Sequence, residues 1–329
     1  MLTLRHINAL RSAGLIPAAR YLDAAAAVRD AAFWRQWSLR ALLAFGVAHL
    51  LAGIVFFFAY NWADLSDIAK FAIVEGALVA TVIAALLLGI DRLHGQVAVI
   101  GASVLTGVLL AVIGQVYQTG ADAYQLFAAW TLLILPWTLA SRSAAQWLLW
   151  LVVAGIALAF YGEQVLVPEG LLTEMEVAAS VGLIGAAALI SRELAVLAGQ
   201  AWLGGRWTRL VLAFATLALL FWPAAAIVFD WDSRGIELIC FVVAVGAGGS
   251  VYCRRLPDYA AATFVIGFAA LFLIAVGLRL IDETVGFEWD EAVPMITSAG
   301  VTILWSVLVF GVAAKLMRSL RLGIEQVAP

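Results

Sequence analysis

The composition of this 329-residue chain is that of a protein embedded in lipid. Hydrophobic residues make up 65% of the sequence and charged residues 12%, whereas soluble globular proteins carry about 25% charged residues. This excludes a soluble globular fold, and the net charge of −3 says little because the two faces of the chain differ in sign. In lipid every backbone polar group must bond within the chain, and the continuous Leu/Ala/Val/Ile/Gly runs predict helices rather than a barrel. The predicted fold class is an all-α, polytopic transmembrane helical bundle.

Residues 1–40 predict a short amphipathic helical cap. One apolar stripe is followed by a break at Gly14-Leu15-Ile16-Pro17 and then by a second stripe. The stripes contain Leu2, Leu4, Ile7 and Leu10, and then Tyr21, Leu22 and Val28. Such a segment is typical of an interfacial helix that lies on the membrane, and a docking helix pair for a partner is the alternative.

About ten apolar runs follow, each long enough, or nearly so, to cross a bilayer. They are Leu42–Tyr60, Ile68–Ile90, Val97–Tyr117, Tyr124–Leu139, Trp147–Tyr161, Val177–Ile190, Val211–Val228, Ile236–Val251, Ala260–Leu278 and Val293–Ala314. The fifth and sixth runs are short, so their helices are expected to extend into the flanking residues.

The basic residues predict the orientation of the bundle. When the connections are assigned alternately to two sides, Lys and Arg divide 16 to 3, and the acidic residues divide about 6 to 16 in the opposite sense. Basic residues concentrate on the cytoplasmic side of membrane proteins. The sequence therefore predicts a multi-pass protein of the bacterial plasma (inner) membrane, with both termini cytoplasmic.

Several landmarks recur at nearly constant spacing and indicate an internal repeat. The separations lie between 166 and 170 residues. The pairs are Trp37 with Trp207, Trp62 with Trp231, Gly76 with Gly246, and Gly101 with Gly267. Spans one to four would then match spans seven to ten in a parallel repeat, as in some carriers. Coincidence among apolar residues is the alternative.

The predicted domains are 1–40 (cap), 41–140 (first four-span unit), 141–205 (hairpin and loop) and 206–329 (second unit and tail).

Glu75 is the principal candidate for an intramembrane polar site. It lies about 10 Å below the predicted outer interface, where a carboxylate is costly unless it is paired or protonated. We expect it to be buried between helices and hydrogen-bonded to Gln115 or His49. A proton- or cation-linked site is one interpretation, and a buried interhelical hydrogen bond is the other.

A second concentration of polar residues predicts an external polar rim. Its members are Asn61, Trp62, Lys70, Tyr117 and Asp122, which flank the outer ends of the first four spans. Ordinary interfacial polarity would explain the same residues.

Motifs of catalysis and cofactor binding are absent from the sequence. It has no phosphate-binding glycine loop, His-Glu-x-x-His, Cys-x-x-Cys or Gly-x-Ser-x-Gly. The three histidines lie far apart in sequence, so no metal site, cofactor or catalytic residue is predicted, and an enzyme is the least favoured class.

A set of residues in the first half resembles a known family. The residues are Asn61-Trp62 after the first span, Lys70 opening the second, Gly114-Gln115-x-Tyr117 closing the third, and Trp130 and Pro136 in the fourth. This pattern resembles a family of bacterial predicted membrane proteins whose function is not established. The resemblance covers roughly residues 10–150, including a leucine-and-glycine pattern at residues 10–20, and it implies no activity.

Two classes of function remain. A transporter or flippase of a small polar or lipidic substrate, proton-linked through Glu75, requires this residue to face a cavity. A non-catalytic membrane scaffold or assembly subunit requires a dry core and an exposed apolar face for a partner membrane protein. The expected partners are the lipid bilayer and either a membrane protein or a second copy of the chain, and no nucleic acid.

Overall fold

The computed structural model describes residues 62–229, 235–285 and 292–327 continuously, together with scattered positions between 6 and 49. These ranges contain nine long helices. They are α1 (Asp67–Leu88), α2 (Leu93–Tyr117), α3 (Ala123–Ser141), α4 (Ala144–Tyr161), α5 (Glu174–Leu197), α6 (Arg206–Phe229), α7 (Ile236–Ser250), α8 (Tyr259–Val285) and α9 (Ala292–Val327). Short 3₁₀ helices lie at Trp62–Asp64 and Ala201–Leu203, and π-helical turns follow α4 at Gly162–Leu166 and α7 at Val251–Arg255.

The predicted fold class is confirmed. Each of these nine helices, α7 together with its π-helical turn, is long and apolar enough to cross a membrane, and the described residues contain no strand. They coincide with the second to tenth predicted spans. The fourth and sixth predicted spans extend at both ends as α3 and α5, and the fifth extends at its start as α4 and continues into the π-helical turn. The first predicted span, Leu42–Tyr60, falls mostly outside the described residues.

The chain divides into two compact units. One contains Met1–Lys70 with Ser319–Pro329, and the other contains Phe71–Arg318. In the smaller unit, residues 33–39 are helical and Ile7 is buried, while Trp34 and Trp37 are exposed. Most of the predicted cap lies outside the described residues, and the predicted division into four domains stays a prediction.

Local sequence signals set several helix ends. Thr173 and Glu176 form a capping box at the start of α5, where each side chain bonds a backbone N–H of the other. Ser143 caps α4 by accepting from the Gln146 N–H. Short connections join α2 to α3, α3 to α4 and α5 to α6, so the helices of each pair run in opposite directions. We call the face where α2 ends and α3 begins the predicted outer end, and the face where α5 ends and α6 begins the predicted inner end.

Close packing in the larger unit centres on α5, α6 and α7. Leu220, Ala224 and Phe241 are almost completely buried there, among partly buried phenylalanines of α6 and α8. A Cβ added at Gly182 of α5 would overlap the Leu220 side chain, so a glycine lets α5 and α6 approach. Elsewhere large apolar side chains face outward, for example Leu87 at 81% exposure, as expected of a bundle solvated by lipid.

Candidate functional site

A cavity of about 580 Å³ opens at the predicted outer end, between the last turns of α2 and the first turn of α3. Its deeper wall is apolar and is formed by residues such as Leu110, Ala111 and Leu126. Its mouth is polar and contains Gln118, Thr119, Asp122 and Gln125. We call this the α2–α3 cavity. Its volume is in the range of pockets that hold small molecules.

The backbone between α2 and α3 shapes the mouth of this cavity. Gln118 adopts a left-handed conformation with φ 46°, which is uncommon for a residue with a Cβ, and Gly120 follows with φ 63°. The Gln118 N–H donates a hydrogen bond to the Gly114 carbonyl oxygen, and α2 ends there. Two left-handed residues within three positions turn the chain sharply, which leaves the Gln118 and Thr119 side chains at the rim.

Asp122 immediately precedes α3, where an aspartate usually caps the helix. Its side chain makes no capping bond. The Tyr124 N–H instead donates to Gln164 Oε1 at 3.2 Å, and the Gln125 N–H donates to the Asp122 backbone carbonyl at 3.1 Å. The two backbone donors that a capping carboxylate would use are thus engaged elsewhere, and the Asp122 carboxylate is exposed at the cavity.

The other residues of the predicted external rim lie in different surroundings. Tyr117 is exposed, and its ring lies 6.0 Å from that of Phe71. Within the smaller unit, the Lys70 ammonium lies 5.9 Å from the centre of the Trp62 ring and 3.4 Å from Asp67 Oδ1. Asn61 lies outside the described residues. Of the four described rim residues, Asp122 is the one that lines the cavity.

Glu75 does not have the predicted environment. Its side chain is exposed on α1, it does not line the α2–α3 cavity, and it makes no hydrogen bond to the described part of the chain. Gln115 is also exposed, and His49 Nδ1 lies 2.9 Å from the carbonyl oxygen of Phe45, one turn earlier. The expectation that Glu75 is buried is therefore wrong. Its role as a proton or cation site stays a prediction.

The predicted inner end holds a network of ion pairs. Arg209 of α6 donates two hydrogen bonds to Glu193 of α5, at 2.8 and 2.9 Å, and a third to Asp258 before α8, at 3.2 Å. Arg206 also forms a two-bond pair with Asp258, at 3.1 and 2.8 Å. We call these residues, with Arg192 and Tyr252, the inner ion network. It ties together the ends of three helices and the π-helical turn after α7.

Arg192 is the most enclosed cation of this network, at 4% exposure. Its guanidinium donates to Glu193 at 2.8 Å, to the Thr208 hydroxyl at 3.2 Å, and to the backbone carbonyls of Leu203 and Gly205 at 2.9 and 3.1 Å. Because these acceptors surround the guanidinium, its buried charge is compensated. Arg192 therefore fastens the loop between α5 and α6 to the end of α5.

Asp258 is the acid of this network that lies between two spans. Burial would raise the pKa of this carboxyl, but hydrogen bonds from Arg206 and from the Ala261 backbone N–H outweigh burial and lower it to about 2. The carboxylate also accepts from the Ala260 N–H at 3.1 Å and so caps α8. Asp258 thus stays ionised over the physiological range and holds α6 to α8.

The inner ion network is not among the sites that the sequence predicts. Arg192, Arg206 and Arg209 are among the 16 basic residues of the predicted inner side, and no partners were predicted for them. Glu193 and Asp258 are two of only about six acids on that side, and this rarity is the signal that could have marked them.

A neutral polar cluster lies among α2, α3 and α4. Gln146 is completely buried, and its amide donates to the Ser103 hydroxyl at 2.8 Å and to the Thr138 hydroxyl at 3.1 Å. Its amide oxygen has no hydrogen-bond partner. This cluster joins three helices by hydrogen bonds without charge, so it supports packing.

These helices define the class of the protein: it is a polytopic α-helical membrane protein. Residues 8–147 match the model of a family described as Predicted membrane protein (DUF2157), whose function is unknown, and the resemblance drawn from the sequence is confirmed. This stretch includes α1, α2, α3 and the twelve described residues that line the α2–α3 cavity. Neither the curated proteins nor the solved structures give a match to the chain.

Proposed function

We propose that this membrane protein is a transporter or flippase that admits a small polar or lipidic substrate through the α2–α3 cavity. The cavity itself carries this proposal: it is large enough for a small molecule, polar at its mouth and apolar toward the membrane interior. It also lies within the stretch that matches the family, where a shared function would be expected.

The opposite end of the bundle supports the same proposal. The inner ion network closes the ends of α5, α6 and α8, while the cavity stands open at the predicted outer end. A transporter exposes its site to one side at a time, and ion pairs that form in one state and break in the other are a common way to alternate. We infer that the cavity faces outward when the network is formed.

Alternating exposure of the cavity can be tested without a known substrate. Ala111 lines the cavity about 9 Å along α2 from Tyr117, the last residue of the helix. In a background that lacks Cys240 and Cys253, we expect Ala111→Cys to react with a membrane-impermeant thiol reagent both in intact cells and in inverted vesicles. Glu169→Cys should react only in cells, and Ser319→Cys only in inverted vesicles.

The two control positions also test the predicted orientation, with Glu169 outside and Ser319 inside. If Ala111→Cys reacts from one side only while both controls behave as expected, the cavity does not alternate and the transport proposal fails. That result would favour the non-catalytic scaffold. If the two controls label from the opposite sides, the orientation of the protein is the reverse of the predicted one. Reaction of Ala111→Cys from both sides would still indicate alternating exposure in that case.

A further inference from the structure

The charge of the α2–α3 cavity indicates the class of molecule that enters it. Asp122 is the one charged residue among the twelve that line the cavity, all within residues 62–229. The other polar lining groups are the amides of Gln118 and Gln125 and the hydroxyl of Thr119, which are neutral. The described lining of the cavity therefore carries one negative charge, at its mouth.

The Asp122 carboxylate also has no partner among the described residues. The first turn of α3 offers it no backbone donor, because the Tyr124 N–H is held by Gln164 and the Gln125 N–H by the Asp122 main chain. The side chain forms no ion pair or hydrogen bond with a described residue. An aspartate at a helix start that does not cap the helix is available to a ligand, and a carboxylate accepts hydrogen bonds without donating any.

We propose that the α2–α3 cavity binds a small organic cation, with Asp122 as its counter-ion and the Gln118 and Gln125 amides as additional hydrogen-bonding groups. This inference deepens the proposed function, and it rests on the proposal that the cavity admits a substrate. The connections on the predicted outer side hold about 16 acidic and 3 basic residues, so their field concentrates cations at this face. The volume of about 580 Å³ suits an ammonium or guanidinium compound of metabolite size.

Charge-selective modification tests the proposal directly. The probes are two methanethiosulfonate reagents of similar size, one carrying trimethylammonium and the other sulfonate. They are applied to the full-length Ala121→Cys protein in phosphatidylcholine nanodiscs, without Cys240 and Cys253. Ala121 lines the cavity beside Asp122. A unit charge about 7 Å away in water changes the local concentration of a charged reagent about threefold, so the cationic reagent should react about three- to tenfold faster than the anionic one.

Adding Asp122→Asn should remove most of this preference, because the amide keeps the shape and loses the charge. Glu169→Gln is the matched control, since it neutralises an exposed acid at the same predicted face that does not line the cavity, and it should leave the preference unchanged. Equal rates for the two reagents, or a preference that survives Asp122→Asn, would overturn the proposal.

This result is independent of alternating exposure. If Ala111→Cys reacts from both sides but the charge preference is absent, transport stands and the cationic substrate does not. If the preference depends on Asp122 but Ala111→Cys reacts from one side only, the site is a cation-binding site in a protein that does not transport.

Discussion

Two helix pairs, α2–α3 and α8–α9, are joined by the same kind of contact. In α2–α3, the Trp130 indole N–H donates to the Ser103 carbonyl oxygen at 2.7 Å, and a Cβ added at Gly107 would overlap the indole ring. In each pair a tryptophan on the later helix bonds a backbone carbonyl of the earlier one and lies over a glycine four residues farther along. Only a glycine leaves room for the ring.

In α8–α9, the corresponding residues are Trp305, Leu273 and Gly277. The Trp305 indole N–H donates to the Leu273 carbonyl oxygen at 3.0 Å, and a Cβ at Gly277 would overlap the ring. Leu273 follows Ser103, and Gly277 follows Gly107, by 170 residues, the separation that also relates Trp37 to Trp207 in the sequence. The matching contacts favour the parallel repeat, which stays a prediction because its first helix lies mostly outside the described residues.

What surrounds the two contacts differs. Ser103 also accepts a hydrogen bond from Gln146 of α4 through its hydroxyl, so a third helix covers the Trp130 contact. The Trp305 hydrogen bond is exposed. The same contact between two helices is therefore held in place by a third helix at Trp130, whereas at Trp305 the indole ring keeps room to move. The two halves also differ in the polar cluster that joins their helices. The cluster around Gln146 is neutral, and the cluster around Glu193 is charged.

The largest expected effect is at the charged cluster. Glu193→Leu leaves Arg192 and Arg209 buried or half-buried without their carboxylate, and breaking such a pair costs about 3–5 kcal/mol. Gln146→Leu in the neutral cluster should cost about 1–2 kcal/mol, because the Thr138 hydroxyl keeps its bond to the Ile134 carbonyl and the unpaired amide oxygen is removed. The midpoint of unfolding of the full chain in detergent measures both changes.

Glu169→Gln, at an exposed turn, is the control for loss of a carboxylate. Similar losses from Glu193→Leu and Gln146→Leu would show that charge does not distinguish the two clusters.

A smaller effect separates the two tryptophan contacts. Gly107→Ala places a methyl group in the Trp130 ring and should cost about 1–3 kcal/mol, the usual range for overpacking. Gly277→Ala should cost less, because the Trp305 hydrogen bond is exposed and no third helix holds the ring in place, so the half-buried ring can move toward lipid. Gly76→Ala has open space around its Cβ and should be neutral or slightly stabilising. The same unfolding midpoints measure these changes. If Gly277→Ala lowers stability more than Gly107→Ala does, the Trp305 contact is the more rigid of the two.

The inner ion network should also make the free energy of unfolding depend on pH. Asp258 has a folded pKa of about 2, below its ordinary value of 3.8. Its stabilisation is therefore complete above about pH 4 and is lost as the pH falls toward 2. Asp258→Asn should cost about 1–2 kcal/mol at neutral pH, after allowance for solvent screening, and the difference from the unmodified chain should shrink below pH 4. Unfolding midpoints between pH 3 and pH 7 measure it, and a difference that is constant with pH would contradict the assignment.

The spans could be predicted because lipid leaves the chain few choices. Every backbone polar group must be bonded internally, so a long apolar run predicts a helix, and α1 (Asp67–Leu88) begins within one residue of its predicted start. The external polar rim stays a prediction, although one of its described members, Asp122, lines the mouth of the α2–α3 cavity.

The partners of the inner ion network could not be predicted in the same way. Glu193 and Arg209 lie on consecutive helices, but Arg206 and Asp258 are 52 residues apart, and their meeting depends on how α6 and α8 pack. The Glu75 prediction was wrong for a related reason. Helix α1 is apolar around nearly its whole circumference, so the sequence shows the depth of Glu75 but not the face of the helix on which it lies.

The smallest expected effect is at Glu75, and its direction differs from that expected of a buried, paired acid. Glu75 is exposed and has no hydrogen bond to the described residues, so Glu75→Leu removes no packed contact. We expect neither Glu75→Leu nor Glu75→Gln to lower the unfolding free energy, because no described partner is lost and an unpaired carboxylate in a spanning helix is itself costly. Because Glu75 does not line the α2–α3 cavity, neither change should alter the charge preference at Ala121→Cys. A loss of about 1–3 kcal/mol in Glu75→Leu that Glu75→Gln does not share would instead show that the carboxyl is paired within the membrane, and would restore it as the candidate for proton linkage.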